Sequence, residues 1–433
     1  MLKQVLYEMR HQPLVSWLTI GGTALALFLI MTTYMIDNRH SISISPETNR
    51  DRIFYGEYLH IKTPTGENSA SLSYDMSREF YAGLDGIEKE SYIESWVPTR
   101  RLQVGNEIPL DVNIRGVDEV FFEIYDFNFE EGAPFDHETV EAGVYNILLS
   151  RSLAEKLFGK GESYMGRKLK LEEIEYTVTG VYTDTHPLLS QTYAQGFVPT
   201  NAIRLNNNSS ESLDMMGDYM VVLLASPGVT REQLATLVQQ RYQAFNSRPS
   251  TKEGGYEAFY HGTPFDAKLM SIPHGSNTSP DPSYGKRDRM IYYIILLILP
   301  AINLSSLTRS RLKSRVSEIG VRRAFGCTRL SILWQMIMEN FLFSLIGAAI
   351  GLLLSFLFIL FGSTAFMSFA GEWTTSEEQM AATPSFEMLF SWTVFLVALL
   401  FCFVLNLLSA SVPAWKASGI RPAEAISGHG AIR

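Results

Sequence analysis

Residues 340–371 read NFLFSLIGAAIGLLLSFLFILFGSTAFMSFAG, a run of 32 residues without Asp, Glu, Lys or Arg. A helix needs about 17 to 25 predominantly apolar residues to cross the hydrocarbon core of a bilayer, and this run exceeds that length. Three other windows, 14–36, 290–308 and 388–415, are also free of charged residues and long enough. The sequence therefore predicts an α-helical membrane protein with four transmembrane helices, at 14–36, 284–308 (including a stalk), 341–361 and 388–410.

The first window also resembles a secretory signal peptide in its position. It is longer than the apolar core of a signal peptide, which runs to about 7 to 15 residues. Residues 36–38 are Ile, Asp and Asn, so no A-x-A cleavage site follows the window. These features favour a retained membrane anchor over a cleaved signal.

Charge near the membrane ends predicts the orientation, because Lys and Arg are enriched on the cytoplasmic side. The segment 309–339 carries seven basic and two acidic residues, whereas 372–387 carries four acidic and no basic ones. We expect the first segment in the cytoplasm and the second outside. Outside the spans, the predicted cytoplasmic segments are 1–13, 309–340 and 411–433. The predicted extracytoplasmic segments are 37–283 and 362–387.

The long segment after the first span is acidic, with 24 basic and 37 acidic residues in 37–289. This charge argues against a nucleic-acid partner, which requires a basic surface. Runs rich in β-branched and aromatic residues alternate with helix-like runs, and the length suffices for two lobes, so we predict a mixed α+β domain. The predicted strands are 58–62, 110–114, 146–149, 175–181 and 219–225, and the predicted helices are 77–84, 150–158 and 230–245.

The sequence contains no recognisable catalytic or metal-binding motif. It lacks G-x-S-x-G, H-E-x-x-H and any histidine pair at i, i+4. His186, His261 and His274 are isolated, and we interpret Cys327 and Cys402 as packing residues. An acidic cluster is interpreted as a solvated face, with attraction of a cationic partner as the alternative; it consists of Glu123, Asp126, Glu130 and Glu131.

The segment 317–341 reads SEIGVRRAFGCTRLSILWQMIMENF and predicts a short helix, a break and a long helix. Ser317 can cap the short helix, and Gly326 can adopt the left-handed conformation that ends it. Thr328 can cap the long helix, which continues into the third span. On these grounds alone, the short basic helix either rests on anionic lipid head groups or binds a cytoplasmic partner.

The run from Glu318 to Gly326, with Thr328 and Arg329, resembles the E-I-G-x-R-[RK]-A-x-G-[AS]-[TS]-[RK] signature of the MacB/FtsX-like family of ABC-transporter permeases. Other stretches are similar to the same family in order along nearly the whole chain. Departures are Cys327, where the family has Ala or Ser, and Trp415, where it has a basic residue. The similar stretches are 114–118 with Phe121, 149–159, 177–181, 302–304, 413–417 and 422–426.

The resemblance implies that the short helix is a coupling helix that docks on an ATP-binding subunit of a bacterial inner-membrane transporter. ATP and magnesium would be bound by that subunit, since this sequence has no G-x-x-x-x-G-K-[ST] loop and no cofactor of its own is expected. Paired ATPase subunits imply two permease copies, either a homodimer or a pair with a related permease, and a periplasmic adaptor is an optional partner. The candidate coupling residues are Glu318, Ile319, Gly320, Arg322, Arg323, Gly326 and Thr328.

The family has an outer domain with a porter-like lobe and an inserted lobe, for which 116–183 is the candidate here. The resemblance implies export or extraction of a toxic amphiphile, peptide or lipoprotein, driven by ATP hydrolysis in the partner. Two alternatives remain: a transmembrane regulator that relays ATPase state to a periplasmic enzyme, and a membrane receptor or scaffold without a motor. Gly347 and Gly351 form a small-xxx-small motif that serves either dimer contact or packing within one chain.

Overall fold

The chain divides into two compact units. The helical unit comprises Met1–Arg39, Gly285–Ser376 and Pro384–Arg433, and the mixed unit comprises His40–Tyr284 and Glu377–Thr383. The computed structural model describes residues 10, 13–38, 45–161, 163–185, 189–203, 215–284, 286–287, 290–291, 294–295, 321–322, 324–369, 395–397, 399–400 and 403–404.

Helices with defined bounds occur in both units. In chain order they are α1 (Pro13–Asn38), α2 (Tyr74–Tyr81), α3 (Phe121–Ile124), α4 (His137–Glu141), α5 (Arg151–Phe158), α6 (Arg231–Ser247), α7 (Pro249–Glu253), α8 (Ala267–Met270) and α9 (Arg329–Phe369). Short 3-10 turns occur at Arg50–Arg52 and Thr200–Ala202.

The described strands all belong to the mixed unit. They are β1 (Ile53–Gly56), β2 (Tyr58–Thr63), β3 (Gly66–Ser71), β4 (Ile87–Glu94), β5 (Thr99–Gln103), β6 (Leu110–Val117), β7 (Phe129–Gly132), β8 (Asn146–Ser150), β9 (Lys168–Leu171), β10 (Ile174–Tyr182), β11 (Gly196–Pro199), β12 (Tyr219–Ala225), β13 (Glu257–Phe259) and β14 (Phe265–Asp266).

These strands form three sheets, ordered β14-β1-β12-β4, β13-β2-β3 and β7-β10-β8-β11-β6-β5-β9. The strand β12 is buried along its whole length, because its alternate side chains pack into two different cores. Val221 and Leu223 face a core formed with α2 and α6, whereas Val222 and Leu224 face a core shared with the seven-stranded sheet. The other face of the seven-stranded sheet packs against α5.

The strands and two of the three predicted helices of the outer segment are confirmed within a few residues at each end. Thr230 caps α6 with a full capping box, in which Gln233 returns the hydrogen bond to the Thr230 backbone N–H. The helix predicted over 77–84 is displaced, because Ser73 caps α2 and accepts a hydrogen bond from the Met76 backbone N–H. Ala82 then leaves the helical conformation, so the helix ends at Tyr81 rather than at residue 84.

The seven-stranded sheet extends past the predicted inserted lobe, 116–183, on both sides. It begins with β5 and includes β11, which pairs in parallel with β6. The sheet therefore does not delimit the lobe, and the limits 116–183 stay a prediction. Pairing between residues about 80 positions apart, such as Gly116 with Val198, has no local signal in the sequence.

In the helical unit, α1 and α9 pack side by side and run parallel. Gly347 lies against Thr23, Gly351 against Ala24, and the Ser355 hydroxyl against the Phe28 carbonyl, so residue numbers increase together along both helices. Both helices contain a window long and apolar enough to cross a membrane, Ser16–Thr33 in α1 and Phe341–Phe358 in α9. Most of the predicted helices at 284–308 and 388–410 lies outside the described residues.

Candidate functional site

The break between the short helix and α9 has the geometry of a Schellman motif. Gly326 has a φ of 88°, the Phe325 N–H donates to the Val321 carbonyl, and the Cys327 N–H donates to the Arg322 carbonyl at 3.1 Å. In this motif a left-handed residue, usually Gly, lets the last carbonyls of a helix find donors. The conformation predicted for Gly326 is therefore confirmed.

The start of α9 follows directly. The Ser331 backbone N–H donates to the Thr328 hydroxyl at 3.3 Å, which satisfies one of the free donors at the helix start. The capping role predicted for Thr328 is confirmed. Gly326 and Thr328 thus hold the chain at the turn between two helices, with one residue between them.

An apolar group protrudes at this turn. The Phe325 side chain is 88% exposed, and that of Leu330, at the first turn of α9, is 78% exposed. Val321 is also exposed. Exposed aromatic side chains of this kind act as anchors in protein interfaces when they enter a pocket of a partner.

Arg322 points toward α9. Its guanidinium Nη1 donates to Gln335 Oε1 at 2.9 Å, and Gln335 Nε2 donates to Glu339 Oε1 at 3.0 Å. Arg322 is half-buried and Glu339 is buried. The remaining candidate coupling residues lie outside the described residues; they are Glu318, Ile319, Gly320 and Arg323.

Gly347 and Gly351 face α1. A Cβ at Gly347 would lie 2.8 Å from Thr23 Cβ, and a Cβ at Gly351 would lie 2.6 Å from the Ala24 carbonyl oxygen. Real Cβ atoms do not approach so closely. Of the two alternatives left open by the sequence, the structure therefore gives this pair a packing role within one chain.

The acidic cluster predicted on the outer domain is largely paired. Glu123 binds Lys89 at 2.7 Å, Glu130 binds Arg151 at 3.1 Å, and Glu131 accepts hydrogen bonds from the Ser163 hydroxyl and the Tyr164 N–H. These partly exposed pairs fit the interpretation as a solvated face.

Two histidines that look isolated in the sequence meet in the fold. His60 Nδ1 lies 2.9 Å from His261 Nε2, and Glu67 lies 3.7 Å from the other His60 nitrogen. Burial, aided by the neighbouring His60, lowers the pKa of His261. Among the described residues, no group of three or more His, Cys, Asp or Glu side chains could hold a metal ion. His186 lies outside the described residues.

A buried ion pair joins two sheets of the mixed unit. Both terminal nitrogens of Arg100 donate to the Glu94 carboxylate, at 2.6 and 3.1 Å, and both side chains are at most 9% exposed. Arg100 also donates to the Ile114 carbonyl, and Glu94 accepts from the Gly116 N–H. The pair therefore connects β4 of the four-stranded sheet to β5 and β6 of the seven-stranded sheet.

Comparison with known families assigns both parts of the chain. Residues 16–241 match the MacB-like periplasmic core domain, which is just over half of the chain, and residues 290–422 match the FtsX-like permease C-terminal domain. The chain belongs to the MacB/FtsX-like permease family. This permease is accordingly a membrane protein with a periplasmic domain, and its family is that of an ABC-transporter permease component.

Curated relatives of the permease agree with this assignment. It is 22% identical to a protein of Pseudomonas fluorescens named probable export ATP-binding/permease protein, over 80% of this chain and 48% of that one. It is 23% identical to the uncharacterized ABC transporter permease YknZ of Bacillus subtilis (79% and 77%) and to the macrolide export ATP-binding/permease protein MacB of Chromobacterium violaceum (98% and 60%). The permease thus spans about half to three quarters of the length of these relatives.

Solved structures similar to the permease include the periplasmic region of MacB from Actinobacillus actinomycetemcomitans, at 13% identity and a TM-score of 0.33. That match covers 47% of this chain and 88% of the other. The extracellular domain of the YknZ transporter from Gram-positive bacteria matches at 18% identity and a TM-score of 0.32, over 47% and 99%.

Three residues of the permease that the structure singles out were not predicted from the sequence. They are Phe325, which is exposed at the turn, and Gln335 and Glu339, which connect to Arg322. A signal for the last two was present, because residues at i and i+4 lie on the same face of a helix. Phe325 had no such signal, since exposure depends on the surrounding chain.

Proposed function

We propose that this permease couples ATP hydrolysis by a separate ATP-binding subunit to movement of its periplasmic domain. The movement drives export or extraction of a toxic amphiphile, a peptide or a lipoprotein. Two relatives have the word export in their names, and both are named as ATP-binding/permease proteins. The 433 residues here contain no phosphate-binding loop of the G-x-x-x-x-G-K-[ST] type, and the proposal assigns ATP binding to a separate subunit.

The observation that carries this proposal is the short helix that Gly326 terminates, with Phe325 protruding beside the break. A capped turn holds the protruding group in a defined position, which suits docking into a groove of another protein. Glu318, Ile319, Gly320, Arg322, Arg323 and Thr328 complete the proposed coupling segment.

The parallel packing of α1 and α9 supports the proposed four-span arrangement. Two parallel helices that both cross a membrane require the chain to return to its starting side between them. The charge-free window 290–308 has the length for such a return. With a fourth span at 388–410, both termini are proposed to lie in the cytoplasm of a bacterial cell and the domain outside its inner membrane.

Two permease copies are proposed to act with two copies of the ATPase. The Gly347 and Gly351 face is filled by α1 of the same chain, so we assign the contact between copies to another surface. The proteins that purify with the chain identify the second copy, either an identical chain or a related permease. They also show whether a periplasmic adaptor belongs to the complex.

The substitution Phe325→Asp is expected to reduce the amount of ATPase subunit that purifies with the tagged full-length permease. Loss of an aromatic anchor weakens an interface by about 2 kcal/mol or more, which is about 30-fold in affinity. The measurement is the molar ratio of ATPase to permease after co-expression and affinity purification.

The matched control for this experiment is Ile108→Asp. Ile108 is 87% exposed, nearly the same as Phe325, but lies in the mixed unit. We expect it to leave the ratio unchanged. A membrane receptor without a motor would show no ATPase with any variant, and equal recovery with Phe325→Asp and the unaltered chain would contradict the docking site.

A further inference from the structure

The polar chain from Arg322 to Glu339 connects the two sides of the Gly326 break. Arg322 belongs to the short helix, and Gln335 and Glu339 belong to α9. The backbone between Ala324, the last described residue of the short helix, and α9 consists of four residues, 325–328. The side-chain contacts therefore form a second connection between the two helices, separate from the backbone.

The chemistry of the three groups fixes their arrangement. A guanidinium only donates hydrogen bonds and an ionised carboxylate only accepts them, whereas a glutamine amide does both. The Gln335 oxygen must therefore face Arg322, and its nitrogen must face Glu339, as is observed at 2.9 and 3.0 Å. Hydrogen bonds with a charged partner are stronger than those between neutral groups.

Arg322 is held at both ends. Its backbone carbonyl accepts from the Cys327 N–H in the Schellman motif, while its guanidinium donates to Gln335. The burial of Glu339 keeps the far end of the chain away from solvent. A rotation of the short helix about the break would consequently break these hydrogen bonds.

We propose that Gln335 is a positioning residue that fixes the angle between the short helix and α9, so that force applied at the ATPase reaches the third span. This inference rests on the proposed function, because it assumes that the ATPase pushes on the short helix. It assigns Arg322 to the inside of the permease rather than to direct docking. Phe325 then docks on the ATPase. The hydrogen-bonded side chains of Arg322, Gln335 and Glu339, called the strut below, transmit the force to α9.

Gln335→Leu tests the strut, because Leu has a similar size but can neither accept from Arg322 nor donate to Glu339. In vesicles of phosphatidylethanolamine and phosphatidylglycerol with the co-purified ATPase, we expect unchanged ATPase recovery and a fall of about tenfold in ATP turnover. Ser331→Ala, at an exposed position of the same helix, is the control and should match the unaltered complex in both readouts.

The double variant Gln335→Glu with Glu339→Gln is the rescue. It moves the carboxylate one turn closer to Arg322 and lets the new amide at position 339 donate to it, so the three groups stay connected at the same total charge. We expect turnover within about twofold of the unaltered complex. Gln335→Glu alone places two carboxylates one turn apart. Its ATP turnover should lie between that of Gln335→Leu and that of the double variant.

The results separate the strut from the alternatives. If Gln335→Leu lowers the recovery of ATPase as strongly as Phe325→Asp, Gln335 supports docking and the strut is wrong. If turnover is unchanged in Gln335→Leu, or equally low in the double variant, the strut is also wrong.

Failure of the proposed function is recognised independently, because no ATPase would then purify with the unaltered chain. The strut is still tested in the permease alone by hydrogen exchange of the peptide that contains the Cys327 amide. Faster exchange in Gln335→Leu than in Ser331→Ala supports the strut, and equal exchange overturns it.

Discussion

Replacing Gly326 by Val is expected to lower ATP turnover of the reconstituted complex by about tenfold or more. Gly326 has a φ of 88°, where a residue with a Cβ costs about 1 to 2 kcal/mol, and a β-branched residue tolerates this conformation least. Since about 1.4 kcal/mol corresponds to tenfold in an equilibrium constant, the substitution shifts the equilibrium by about tenfold against the Schellman motif and the defined position of Phe325.

The strain in this variant comes from the backbone alone. A Cβ at Gly326 would meet nothing within 4 Å, so the substitution creates no clash. Gly326→Asn should retain most of the turnover, because Asn adopts left-handed conformations more readily than other residues with a Cβ. Cys327→Ser, at the next position, should have no effect, since only the Cys327 backbone N–H takes part in the motif. Equal turnover in the Val and Asn variants would contradict the role assigned to the break.

The second large effect is expected from Glu94→Gln. Removing the charge of Glu94 leaves Arg100 buried without its carboxylate, and breaking a buried pair in this way costs about 3 to 5 kcal/mol. For a domain of this size, the loss corresponds to a fall of about 10 °C in the midpoint of thermal unfolding. The measurement is thermal unfolding of the purified full-length chain in detergent, followed by tryptophan fluorescence. Trp96, between β4 and β5, contributes to this signal together with the five other tryptophans of the chain.

An exposed ion pair provides the comparison. Glu123→Gln removes the carboxylate that binds Lys89 at 2.7 Å, where both side chains are partly exposed. Such pairs contribute about 0 to 1 kcal/mol, so the midpoint should move by no more than about 3 °C. If the two variants shift the midpoint equally, the Glu94–Arg100 pair does not hold the two sheets together.

The sequence predicts those parts of the fold whose signal is local. The strand Tyr219–Ala225 is found with the predicted bounds, and α6 begins directly after Thr230, the first residue of the helix predicted over 230–245. The helix at Tyr74–Tyr81 was misplaced because Ser73 and Ser77 are both acceptable caps, and contacts in the fold decide between them. The limits of the seven-stranded sheet, and the meeting of His60 with His261, depend on residues far apart in the chain.

The same distinction applies to the site. Gly326 and Thr328 act through their own backbone neighbours, so residue type and spacing were sufficient to predict both. The orientation of Arg322 was not predictable, since a basic residue on a short helix can face a partner, a lipid head group or its own chain. The contact with Gln335 spans 13 residues and the helix break, and only the three-dimensional arrangement reveals it.

The central claim is that ATP hydrolysis by a partner moves the periplasmic domain, and a distance between that domain and the helical unit tests it most directly. Spin labels are attached at Arg10, an exposed position of the helical unit, and at Ser283, an exposed position of the mixed unit, in a chain whose Cys327 and Cys402 are replaced by Ser. The labelled chain is diluted with unlabelled chain, reconstituted with the ATPase, and measured by double electron–electron resonance. We expect ATP with vanadate to shift the distance distribution from that of the nucleotide-free complex. Identical distributions in a complex that hydrolyses ATP would contradict the account.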